Sequence, residues 1–92
     1  MSKTYEGWKN RQTWNVSLWI NNDYNIYTAA VRFMQINPNI KYPYVEFIHS
    51  QGMENDRTSD NIAWNGTRLD YKALNEMMRE LIAWQNKSAG MT

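Results

Sequence analysis

The four residues Lys9-Asn10-Arg11-Gln12 carry side chains that all donate hydrogen bonds. A guanidinium can make paired bonds to a phosphate or a carboxylate. Side-chain amides can read base edges or peptide groups. Tyr5 and Trp8 come just before this run and could stack on bases. Lys3, Trp19, Arg32 and Arg68 complete the basic and aromatic set expected to touch a partner. A structural reading stands beside this one. The Arg11 guanidinium could anchor a loop onto Asp23 or a helix end, with Asn10 structural beside it.

Other chemistries find little support. His49 is the one histidine and there is no cysteine, so the usual transition-metal ligand sets cannot be assembled. No G-x-S-x-G elbow occurs, and no S-x-x-K with its partner signatures. No Walker loop or G-x-G-x-x-G is present. Glu54, Asp56 and Asp60 lack the central glycine and closing glutamate of a calcium loop, and read as a solvated acidic loop. Met77-Met78 falls at core spacing on a helix and reads as core filling. The expectation is a binding protein and not an enzyme, with no metal and no cofactor.

The chain of 92 residues suffices for one domain with one modest core. Hydrophobic residues make up 42% and charged residues 21%, as in folded globular proteins. Net charge is +1 and the pI is near 8.0, below the value of ~9 common among nucleic-acid-binding domains. A basic surface must therefore be local. Lys3, Lys9 and Arg11 stand against Glu6 alone in the first twenty residues. Glu46, Glu54, Asp56 and Asp60 outweigh Lys41 and Arg57 in the middle of the chain. The absence of cysteine suits a cytoplasmic protein. No apolar run approaches the ~18 residues of a membrane span, and MSKTYEGWKN lacks the apolar centre of a signal peptide.

The elements that would position these residues follow from periodicity. From Thr13 to Ile20 the residues alternate: Trp14, Val16, Leu18 and Ile20 on one face, Asn15, Ser17 and Trp19 on the other. That is the period of a half-buried strand, with Trp14 in the core. Trp19 would either pack under a helix or contact a partner. Asp23 can cap a helix over 24–36, with Ile26, Ala29, Ala30, Phe33 and Met34 as its apolar stripe; Asn37-Pro38 ends it. Pro43 can open a shorter helix that Gly52 closes, although 44–48 also suits a strand. Residues 61–64 and 67–69 read as two short strands joined at Asn65-Gly66, a tight-turn signal. Asp70 caps a last helix over 71–87, with Leu74, Met77, Met78, Leu81 and Ile82 buried. The expected fold is α+β: a small antiparallel β-sheet packed against two or three α-helices. It forms a single domain over 1–92, with 1–6 and 88–92 flexible.

The segment NRQTWNVSLWINND, Asn10 to Asp23, resembles an N-R-x-T-W-N-V-x-L-W-x-x-N-D signature found in small proteins of bacteriophages and their hosts. The stretch IAWNGTRLDYKALNEMMREL resembles the C-terminal half of the same group. In size and overall look the chain is similar to phage anti-CRISPR proteins of the type I-F class. That resemblance implies an inhibitor that binds a crRNA-guided surveillance complex, on its Cas backbone subunits or near the guide RNA, and blocks target DNA. It implies action in the host bacterial cytoplasm, as a monomer, without catalysis. The near-neutral charge argues against mimicry of a DNA duplex. The alternative is a general single-stranded nucleic-acid-binding module, motivated by the same aromatic and basic segment.

Overall fold

Asn10 opens a helix. In the computed structural model, which describes the backbone of residues 7–90 and the side chains of residues 7–83, α1 runs Arg11–Asn22. The Asn10 side chain accepts from the Thr13 amide at 2.8 Å, satisfying one of the amides that a helix N-terminus leaves unpaired. The expected strand over Thr13–Ile20 is thus overturned. Val16 and Ile20 are fully buried, but Leu18 is 36% exposed and Trp14 is only half-buried. The buried residues are Thr13, Val16, Ser17 and Ile20, the i, i+3, i+4, i+7 stripe of a helix, and beside them Asn15.

The next three elements are α2 Tyr24–Ile36, α3 Pro43–Ser50 and α4 Tyr71–Gly90. Asp23 ends α1 and caps α2, its carboxylate accepting from the Ile26 amide at 3.1 Å. Asn37 closes α2 ahead of Pro38. Pro43 is the first residue of α3, where its missing N–H costs nothing and its fixed φ fits. At the other end Gly52 takes φ +68°. Its amide bonds the His49 carbonyl, and the Met53 amide bonds that of Ile48. This pair of bonds is a Schellman closure, and it favours glycine at the left-handed position. Asp70 caps α4, accepting from the Ala73 amide at 3.2 Å. The helix passes the expected end at Lys87 and reaches Gly90.

There is no sheet among the described residues, so the α+β expectation gives way to an all-α arrangement of four helices. Residues 61–64 and 67–69 form no strands. A hairpin turn at Asn65-Gly66 of the favoured type needs positive φ at both residues, and neither has it; the left-handed residue is Asn61, at φ 68°. The loop instead folds on itself. Arg57 and Ala63 form an isolated antiparallel bridge, flanked by Thr58 N to Ile62 O at 2.8 Å and Trp64 N to Asp56 O at 3.1 Å.

The core lies between α4 and the other helices. Ile20, Met34, Tyr44, Phe47, Leu74 and Met78 are wholly buried, each worth roughly 1.5–3 kcal/mol of transfer free energy. The Phe33 and Phe47 rings meet edge to face, 5.6 Å apart. The Tyr44 hydroxyl donates to the Trp64 carbonyl, which ties the loop to α3. Burial pushes this phenol far above its ordinary pKa, so it stays a donor.

Candidate functional site

The first turn of α1 sits against the loop 57–63 and the turn 66–69, and side chains fix that arrangement. Asn10 Nδ2 donates to the Arg68 carbonyl at 2.7 Å. Thr13 Oγ1 donates to Asn10 Oδ1 at 2.7 Å and accepts from the Asp70 amide at 2.9 Å. One helix turn further, buried Asn15 holds the loop. Its Oδ1 accepts from Thr58 Oγ1 at 2.7 Å, and its Nδ2 donates to Asp60 Oδ2 at 2.8 Å. Trp19 Nε1 donates to the same carboxylate oxygen at 3.1 Å. The bonds from Asn15 and Trp19, and then the Arg11 charge, hold the Asp60 carboxyl below its ordinary pKa. Thr58 Oγ1 also accepts from the Asp60 and Ile62 amides, which sets the tight curl of the loop.

This packing leaves a cleft of about 310 Å³ whose walls include Gln12, Arg57, Asn61, Thr67 and Arg68. Its walls include two arginines and no acidic residue. Arg57 Nη1 donates to the Asn61 carbonyl at 3.1 Å, which steadies the guanidinium and leaves other N–H groups to donate. The Arg68 side chain is exposed. Such a cleft can hold a phosphate or carboxylate by paired, charge-assisted bonds. It lies at the small end of ligand pockets. A second cleft of about 330 Å³ also has Arg57 in its wall, with Trp19, Asp23, Met53, Asp56 and Trp64.

The candidate contact residues are distributed unevenly over this geometry. Gln12 and Arg68, far apart in sequence, share the basic cleft. Asn10 is the α1 cap, so its structural reading is the one realised. Arg11 is exposed, and its charge acts on Asp60. Lys9 is exposed ahead of α1, and Arg32 is exposed on α2; neither lines the basic cleft. Trp8 and Trp19 are half-buried and pack against the core, Trp19 with its indole N–H bonded to Asp60. Lys3 lies outside the described residues.

Arg57 is the residue that sequence reasoning missed. It lies in the acidic stretch ENDRTSD, where a lone cation suggests local charge balance. Only the curl of the loop brings it into the same cleft as Gln12. Asp56 and Asp60 are exposed, as expected of a solvated acidic loop; Thr58 between them is buried, and Asp60 is also hydrogen-bonded to α1. His49 and Glu54 form an exposed pair, Nδ1 to Oε2, at 2.6 Å. Among the described residues no helix is long and apolar enough to cross a membrane, and no group of three His, Cys, Asp or Glu is placed to hold a metal ion.

No curated protein matches the chain, and no solved structure does. Residues 1–87 match a family of unknown function, DUF7249. The match covers both the capped helix α1 and the loop it holds, and the chain belongs to that family.

Proposed function

We propose that this protein is a non-catalytic binding protein that docks onto an anionic surface of a nucleoprotein partner through the cleft between Arg57 and Arg68. The observation that carries this reading is the composition of that cleft: two arginines and Gln12, without an acidic residue, on a chain of net charge +1. A few fixed guanidiniums can supply orientation and encounter rate on a protein that is nearly neutral overall.

The resemblance of Asn10–Asp23 to the phage signature supplies the partner to be tried. It is the crRNA-loaded surveillance complex of the type I-F class, with the protein acting as an inhibitor in the host bacterial cytoplasm. Asn10, Thr13, Asn15 and Trp19 of that signature hold the fold together. They therefore support a shared architecture more strongly than a shared partner, and the direct test is co-elution on a sizing column. The protein is mixed with the crRNA-loaded complex, with free guide RNA as the control. A shift with the complex alone supports a dedicated inhibitor. A shift with free RNA of equal affinity favours a general single-strand binder. No shift with either removes this partner.

A further inference from the structure

We infer that the two clefts flanking Arg57 together take one nucleotide of a single-stranded nucleic acid. Its phosphate sits between Arg57 and Arg68, and an amine-bearing base lies against Trp19 and Asp56. This deepens the docking reading and rests on it, because it uses the same basic cleft.

The charges of the two clefts are opposite in kind. The first holds Arg57 and Arg68 and no acid. The second holds Asp23 and Asp56 beside the Trp19 and Trp64 indoles. Arg57 is a wall of both, with the cationic residues of one cleft and the aromatic and acidic residues of the other on either side of it. A nucleotide has the complementary order. Its phosphate needs cations, its base has a π-face that stacks on aromatics, and its edge carries hydrogen-bonding groups.

Asp56 decides which base. The Asp23 carboxylate already accepts from the Ile26 amide. The Asp56 side chain is exposed and has no hydrogen-bond partner among the described residues. A carboxylate accepts and cannot donate. It therefore suits the exocyclic amine of cytosine, adenine or guanine, and uracil offers no such amine. In a duplex the base faces are stacked and cannot lie on an indole, so the surface fits a single strand. Trp19 is well suited to its place because Asp60 fixes its indole, which removes the entropy cost of ordering a free aromatic.

The test is NMR titration of the ¹⁵N-labelled protein with short oligocytidylate, oligoadenylate and oligouridylate RNAs at about 50 mM salt, where phosphate contacts are strong. Inorganic phosphate serves as the control. Oligocytidylate and oligoadenylate should shift both the Trp19 indole N–H and the Arg57 side-chain N–H. Oligouridylate should bind about fivefold more weakly. Asp56→Ala should erase that difference, and Arg57→Gln should abolish binding of all three. Signals that move at Arg57 but not at Trp19, equal affinity for the three RNAs, or no shift with any of them would each overturn the nucleotide assignment. If Arg57→Gln/Arg68→Gln still abolishes co-elution with the crRNA-loaded complex, that failure leaves the docking reading intact. Undiminished co-elution of a folded Arg57→Gln/Arg68→Gln variant removes both.

Discussion

Asn15 and Thr58, separated by 43 positions in sequence, meet in the buried seam between α1 and the loop, with Thr58 Oγ1 donating to Asn15 Oδ1 at 2.7 Å. Asn15 is 1% exposed and Thr58 is 6% exposed. Polar groups at that depth must be paired, and here each satisfies the other while Asn15 also holds Asp60. The loop that carries Arg57 therefore takes its shape from an asparagine on a helix.

Asn15→Ala should destabilise the fold by about 1–3 kcal/mol, because it leaves the buried Thr58 hydroxyl without its acceptor. Thr58→Val should have a similar effect from the other side. In a double-mutant cycle followed by urea denaturation, the pair should couple by about 0.5–3 kcal/mol. Strict additivity of the two changes would show that the bond contributes nothing.

Asp60 should make stability depend on pH in a known direction. Its folded-state pKa lies below the ordinary value, so the stability it contributes is fully present above about 3.9 and is lost as pH falls through the folded value. The melting temperature of Asp60→Asn should lie below that of the unaltered chain at neutral pH, and the gap should narrow below about pH 4. Glu54, lowered by its own backbone amide and by His49, acts with the same sign, so Glu54→Gln is the necessary control. A gap that stays constant down to acid pH would contradict the assignment.

Asn10→Ala removes the α1 cap and the bond to the Arg68 carbonyl. The expected loss is about 1–2 kcal/mol in chemical denaturation. Because the Asn10 amide points into the fold, partner binding by the folded variant should be unchanged. Weakened binding without loss of stability would return Asn10 to the contact surface.

Gly52 provides a backbone test. A Cβ there would meet nothing within 4 Å, so any cost of Gly52→Ala comes from the left-handed conformation alone. That cost should be about 1–2 kcal/mol, seen as a lower melting temperature. A neutral substitution would mean that the α3 closure adapts.

Three of the four helices were legible because their buried faces are aliphatic or aromatic: Ala30 and Met34 in α2, Phe47 and Ile48 in α3, Leu74 and Met78 in α4. In α1 the two buried aliphatics, Val16 and Ile20, are four residues apart. That spacing satisfies a strand and a helix equally. Thr13, Asn15 and Ser17 break the tie, and a reading that ranks positions by hydrophobicity places them outside. Asn65-Gly66 misled for a related reason: the dipeptide permits a hairpin turn but does not impose one, and Asn61 took the left-handed position instead.

The site was legible in part. Gln12 and Arg68 could be picked out as donors, and both line the basic cleft. Asn10 looked like a contact residue because amides serve interfaces and folds alike; here it bonds the Arg68 carbonyl. Arg57 depends on a tertiary event, the docking of its loop on Asn15, that no local pattern encodes.

The central claim is that Arg57 and Arg68 form the docking surface, and the most direct measurement is the affinity of Arg57→Gln/Arg68→Gln for the crRNA-loaded complex. Its melting temperature is recorded alongside, as a check that the variant is folded. Both side chains are exposed, so the variant should melt within a few degrees of the unaltered chain. Its binding should fall by about tenfold or more for the loss of two charge-assisted contacts. Undiminished affinity in the folded variant would contradict the account.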